Sequence, residues 1–128
     1  MRQIEGQSEA TRAALASAPM QSTLLGELFD RAKIGVLAVD NGLYIAANAY
    51  ACELTGYERE ELIGRRVGEL NPLSDLSRQF TEVVAGRRSG GTLMIRRKDG
   101  TELPIAYRAV RTTLAGMELL LAVFWALG

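Results

Sequence analysis

The chain has 128 residues, 48% of them apolar, with 15 basic and 15 acidic side chains and no histidine. That length supports one hydrophobic core and a single domain. Zero formal net charge gives no extended basic field for nucleic acid or an anionic membrane. The missing histidine removes the commonest general base and the usual metal ligand, and no Cys, Asp or Glu cluster has metal-ligand spacing. Cys52 is alone, so no disulfide framework exists within a chain, and a reducing cytoplasm is the expected location. The N-terminus carries no charged-then-apolar signal pattern. The longest apolar run, Leu119 to Leu127, is far short of the about 20 residues that a spanning helix needs, so no membrane partner is expected.

Residues 1–20 are polar and alanine-rich, with Pro19 as a break. Thr11 to Ser17 has weak helical character, so this reads as a flexible or partly helical N-terminal segment. Over residues 21–33 the pattern sharpens into an amphipathic flanking helix. Leu24, Leu25, Leu28, Phe29 and Ala32 share one side, with Glu27, Asp30 and Arg31 elsewhere. Either the chain's own sheet or a second copy must cover that stripe.

The run from Ile34 to Asp40 suits a buried strand. Asn41-Gly42 is a strong hairpin signal, because both turn positions need positive φ. The return strand ends at Asn48, a good N-cap for the next helix. Thr55-Gly56-Tyr57 stops that helix, with Gly56 suited to the left-handed C′ position. Glu58 to Leu62 reads as one further helical turn, stopped by Gly64. The segment from Arg65 to Pro72 is a loose turn. Ser74 or Asp75 then caps a helix whose apolar face is Leu76, Phe80, Val83 and Val84, with Gly86 at its end. Arg87 to Gly91 is a loop. Strands are expected over Thr92–Lys98, Thr101–Thr113 and Met117–Leu127, with hairpin turns at Asp99-Gly100 and Leu114 to Gly116. Pro104 lacks an N–H and belongs at a strand start or edge. Five strands with helices between the second and third make an α+β fold, an antiparallel sheet with short helices on one face.

Alternation assigns the faces. Leu103, Ile105, Tyr107 and Ala109 point inward on one strand. In the last strand Glu118 marks the even positions as outer, which places Leu119, Leu121, Val123 and Trp125 inside. The outer set still holds Leu120, Ala122, Phe124 and Ala126, and the first strand is also apolar on both sides. A half-solvated antiparallel sheet alternates cleanly, so this sheet is covered on both faces. A homodimer follows, with Leu24, Leu25, Leu28, Phe29, Val36, Ala38, Leu120, Ala122 and Phe124 as its interface.

Nothing catalytic assembles in the sequence. Ser74, Ser77 and Ser89 have no base partner, and capping or loop roles explain them. Glu58, Glu60 and Glu61 are helix-start carboxylates favoured by the dipole. Arg65-Arg66, Arg87-Arg88 and Arg96-Arg97-Lys98 read as solvated surface rather than a nucleic-acid site. Cys52 is a small apolar group in an alanine-rich helix.

Asp40, Gly42, Asn48, Thr55-Gly56-Tyr57, Glu61-Leu62 and Gly64 fall in the order of the first half of a PAS domain. Lys98-Asp99-Gly100-Thr101 with Leu103-Pro104 matches that family's later hairpin. The sequence therefore resembles a PAS domain over residues 34–127. The resemblance implies a non-catalytic sensor module of a bacterial signalling protein, with an output domain attached or separate. It also implies a five-stranded PAS sheet with a ligand site between sheet and helices. On the sheet that pocket would be Leu37, Val39, Tyr44, Ala46, Leu93, Ile95, Ile105, Tyr107, Leu121, Val123 and Trp125. Ala51, Val67, Leu70 and Phe80 would approach from the helices.

Haem-binding members mostly use a histidine, which is absent here. The LOV photoreceptor branch has its reactive cysteine where this chain has Val67. Its flavin-facing polar side chains align with Ile95, Ile105 and Trp125. Haem and flavin are therefore not the expected cofactors. A small apolar molecule such as a fatty acid suits the lining, with the Tyr44 and Tyr107 hydroxyls as its polar groups. The same residues could instead form a solid core. The alternative function is then a ligand-free dimerisation and docking module.

Overall fold

Three β-hairpins and one crossover fix the architecture. In the computed structural model, which describes residues 9–14, 16–69 and 74–128, helix α1 (Ala18–Arg31) leads into strands β1 (Gly35–Asp40) and β2 (Leu43–Ala47). Three helices follow: α2 (Ala49–Thr55), α3 (Arg59–Leu62) and α4 (Ser74–Val84). Strands β3 (Gly90–Arg96), β4 (Glu102–Leu114) and β5 (Met117–Ala126) complete the chain. All pairings are antiparallel, in the order β2-β1-β5-β4-β3, so the final strand lies at the centre beside the first. Asn41 and Gly42 both take positive φ, 51° and 79°, as the tight turn between β1 and β2 requires.

Asn48 joins sheet to helix. Its Oδ1 accepts from the Val36 N–H at 2.9 Å and, as the N-cap of α2, from the Ala51 N–H at 3.0 Å. Its Nδ2 donates to the Ile34 carbonyl at 2.9 Å. Gly56 ends α2 at φ 81°, and a Cβ there would come within 3.4 Å of the Lys98 Cβ. Lys98 N–H donates to the Thr55 carbonyl at 2.9 Å, so the β3–β4 hairpin seats on the end of α2. That contact explains why the Thr-Gly-Tyr and Lys-Asp-Gly segments occur together.

Pro19 lies inside the first turn of α1, where its missing N–H costs nothing. No residue of α1 is buried; Leu24, Leu25 and Leu28 are 43%, 53% and 57% exposed. The helix touches mainly α2 and β1, and Asp30 anchors it by accepting from the Tyr50 N–H at 2.9 Å. It does not cover the sheet.

The β5 faces are the reverse of the sequence expectation. Leu120, Ala122 and Phe124 pack with the core on the helix side, and Tyr107 stands opposite Phe124. Leu121, Val123 and Trp125 share the other face with Ala38, Val36 and Ala106, and Leu121 and Trp125 are each 36% exposed. Glu118 misled because it sits where only β4 and β5 pair, beyond the ends of β1 and β3. Leu119, expected to be inside, is buried at 6% exposure, but Thr113 to Glu118 at the tip are exposed, so a charge there marks neither face. Leu120, Ala122 and Phe124 are thus core residues and leave the expected dimer surface, whereas Val36 and Ala38 stay on the open face.

Gly35 completes the packing. A Cβ at this position would lie 2.4 Å from the Phe124 ring, so glycine makes the room in which Phe124 sits, 4% exposed.

Candidate functional site

Between the helices and the concave side of the sheet lies a cavity of about 140 Å³. Its sheet wall is Leu37 and Val39 from β1, Tyr44 from β2, Leu93 and Ile95 from β3, Ile105, Tyr107 and Ala109 from β4, and Leu120, Ala122 and Phe124 from β5. Thr55, Val67, Leu76, Gln79, Phe80 and Val83 close it from the helical side. None of these side chains is charged.

The sheet's two-residue period explains the strand contributions, because each pairing register brings like-facing residues together. Leu93 pairs with Ile105, Ala109 with Ala122 and Val39 with Leu120. The loop after α3 supplies Val67 by adding to the edge of β2. Tyr44 N–H donates to the Arg65 carbonyl at 2.9 Å, Gly64 N–H to the Tyr44 carbonyl at 2.8 Å, and Val67 N–H to the Gly42 carbonyl at 2.9 Å. These bonds hold Tyr44 and Val67 on the same wall.

Two polar features interrupt the apolar lining. Gln79 is only 5% exposed, and its Oε1 accepts from the Tyr107 hydroxyl at 2.6 Å. Its Nε2 donates to the Thr92 carbonyl at 3.1 Å, so the pair is satisfied internally. Gly91 leaves room for it, since a Cβ there would be 3.0 Å from Gln79 Oε1. Tyr44 differs. Its hydroxyl has no hydrogen-bond partner among the described residues. Burial pushes its phenol up to about 12, and burial also raises Tyr107. The residue as a whole is half-buried.

Most of the pocket residues chosen from sequence line this cavity: Leu37, Val39, Tyr44, Val67, Phe80, Leu93, Ile95, Ile105 and Tyr107. Ala46 does not; a register irregularity in the β1–β2 pair puts it opposite Ala38 on the outer side, where it is exposed. Leu121, Val123 and Trp125 are also outside, so the β5 residues facing the cavity are Leu120, Ala122 and Phe124. Ala51 is wholly buried in the core without bordering the cavity. Leu70 lies outside the described residues. Gln79, Thr55 and Leu76 escaped sequence reasoning. Gln79 had a signal, because it falls on the apolar stripe of α4 with Leu76, Phe80 and Val83, where a polar residue needs a buried partner.

The fit to cofactors follows from size. A cavity of roughly 150 Å³ accommodates a benzene-sized molecule, and common ligand pockets begin near about 300 Å³. A porphyrin or a three-ring isoalloxazine exceeds the space. Among the described residues no group of three or more His, Cys, Asp or Glu side chains is placed to hold a metal. Cys52 is partly buried, and burial raises its thiol, which leaves it a poor nucleophile. No helix among the described residues is long and apolar enough to cross a membrane.

Solved structures with the same fold are numerous. A PAS domain from Colwellia psychrerythraea is 22% identical with a TM-score of 0.70, covering 82% of this chain and 95% of its own. One from an HTR-like protein of Haloarcula marismortui is 22% identical with a TM-score of 0.67, covering 84% and 97% respectively. A domain of a sensory box sensor histidine kinase/response regulator from Geobacter sulfurreducens is also 22% identical, with a TM-score of 0.65 and coverage of 87% and 98%. No curated protein matches the chain. The PAS domain family profile matches residues 34–125, which span the whole sheet and the helices that close the cavity. The chain belongs to the PAS domain family.

Proposed function

We propose that this domain is a non-catalytic sensor module of a bacterial signalling protein. It takes a small apolar molecule into its core and reports occupancy through a homodimer interface to an output domain in the same or a separate chain, in the cytoplasm. The observation that carries the reading is the apolar cavity of about 140 Å³ between the helices and the sheet. The pocket is apolar enough to hold hydrocarbon. The fold likeness to a domain described as part of a sensor histidine kinase fits the same role.

The mechanism rests on β5. Its alternate side chains line the cavity (Leu120, Ala122, Phe124) and form the centre of the outer face (Leu121, Val123, Trp125). A ligand that favours one position of this strand changes the outer face with it. Signalling requires that the ligand bind the two arrangements with different affinity.

A second reading, a ligand-free dimerisation and docking module, draws on the uncovered outer face. Val110, Met94, Leu121 and Trp125 are 58%, 43%, 36% and 36% exposed there. Native mass spectrometry of the purified protein, repeated under denaturing conditions, separates the two. A dimer with extra mass lost on denaturation supports the sensor. A bare dimer whose melting temperature no small apolar compound raises favours the docking module.

A further inference from the structure

An open groove of about 870 Å³ adjoins the cavity at the overhanging β4–β5 tip. Val39, Phe80 and Leu120 line both, so the partly open apolar cavity and the groove meet at a neck that these three side chains form. Arg111 lies on the groove wall, opposite Leu120 in the β4–β5 register. It continues the inward-facing row of Ile105, Tyr107 and Ala109, two residues beyond Ala109, and so about 7 Å further along the strand. Its guanidinium is held beside the end of α4, where a Cβ on Gly86 would be 3.6 Å from Nη1. Arg111 makes no ion pair or hydrogen bond through its side chain among the described residues. Glu118, the other charged group in the groove, pairs with Thr113 one step further out. A group emerging from the neck therefore reaches the cation before the anion.

We propose, resting on the sensor reading above, that the ligand is a medium-chain carboxylate. Its alkyl body fills the cavity through the Val39–Phe80–Leu120 neck, and its carboxylate pairs with Arg111. A planar guanidinium binds a carboxylate through two parallel hydrogen bonds, and among the described residues no other cation lines the cavity or the groove. Since about 150 Å³ holds six ring carbons, the buried part is short, and a chain of roughly eight to ten carbons reaches from the cavity to the rim. The uncharged cavity wall cannot itself stabilise a carboxylate, which orients the molecule tail-first.

Calorimetric titration with octanoate and with 1-octanol, on the intact protein, tests this. Octanoate should bind roughly tenfold tighter than the alcohol, a charge-assisted margin that Arg111→Gln removes while leaving octanol binding unchanged. Glu118→Gln should preserve or strengthen octanoate binding. Ala109→Leu, which fills the cavity, should abolish binding of both compounds while the circular dichroism stays native. Equal or tighter binding of octanol to the unaltered protein overturns the carboxylate proposal and leaves the sensor reading standing. Octanoate binding that survives Ala109→Leu also overturns it, because contact would then be at the rim alone. If neither compound binds, the proposal falls; the sensor reading falls with it only if the native mass spectrum also carries no extra mass.

Discussion

Tyr44, Gln79 and Asn48 show how differently one buried and two half-buried polar side chains are used. Gln79 is satisfied by Tyr107 and Thr92, so it holds α4 against the β3–β4 pair. Tyr44 is half-buried on the cavity wall, and its hydroxyl has no partner among the described residues. Asn48 is structural: its amide bonds the N–H groups of Val36 and Ala51 and the carbonyl of Ile34. Replacing it by alanine removes an N-cap worth about 1 kcal/mol and orphans part-buried backbone groups at about 1–3 kcal/mol. Asn48→Ala should therefore destabilise the fold by about 2–3 kcal/mol, read as a lower urea midpoint with an unchanged slope.

Among the elements, the β3–β4 hairpin is tied to the helices by charge as well as backbone. Lys98 Nζ lies 2.8 Å from Glu61 Oε2 and 5.9 Å from the centre of the Tyr57 ring. Its hydrogen bond holds the Glu61 carboxyl below the ordinary glutamate value, with the Glu58 backbone helping. Arg88 does the same for Glu82, and Thr101 for Asp99. A carboxylate lowered on folding contributes stability that is complete above its unfolded pKa and disappears as pH falls through the folded one. The domain should lose stability on acidification below the ordinary carboxylate range. Lys98→Gln should flatten that loss, because Glu61 then titrates more nearly alike in both states; urea midpoints measured across acid pH give the comparison. The groups are exposed, so the change is small, and identical profiles would show that the pair contributes nothing.

At the scale of the whole molecule, the sheet has one face filled and one largely open. Helices α2 to α4 occupy the concave side, α1 stands off at the edge, and the outer side presents Val36, Leu121, Val123, Trp125 and Val110. Arg108, opposite Val123, stands among these apolar side chains, and the dimer proposed above draws on this face. In a homodimer formed through it, Leu121 lies at the centre. Leu121→Asp should convert a sedimenting dimer to a monomer with unchanged far-ultraviolet circular dichroism. Trp125, the sole tryptophan and on that face, should shift its emission to longer wavelength as the dimer dissociates. A wild-type monomer at tens of micromolar would sink the dimer reading.

Local chemistry makes much of this fold readable from the chain. Asn41-Gly42 fixes a hairpin because few residue pairs tolerate positive φ at both positions, Asp99-Gly100 marks a longer turn in which Gly100 alone takes positive φ, Asn48 and Gly56 bound a helix by capping, and the motif order gives the family. The strand and helix sequence follows from those signals. The β5 facing did not, because a two-sided apolar strand carries no alternation to read, and its one charge sits on an overhang. The Ala46 placement depended on a register irregularity between β1 and β2 that no composition signal announces. The Gln79–Tyr107 bond joins residues 28 apart. The cavity, its open hydroxyl and the groove leading to Arg111 arise from how separate elements pack. Spacing along the chain sets which residues share a strand or helix face; only tertiary contact decides which faces meet and what space is left between them.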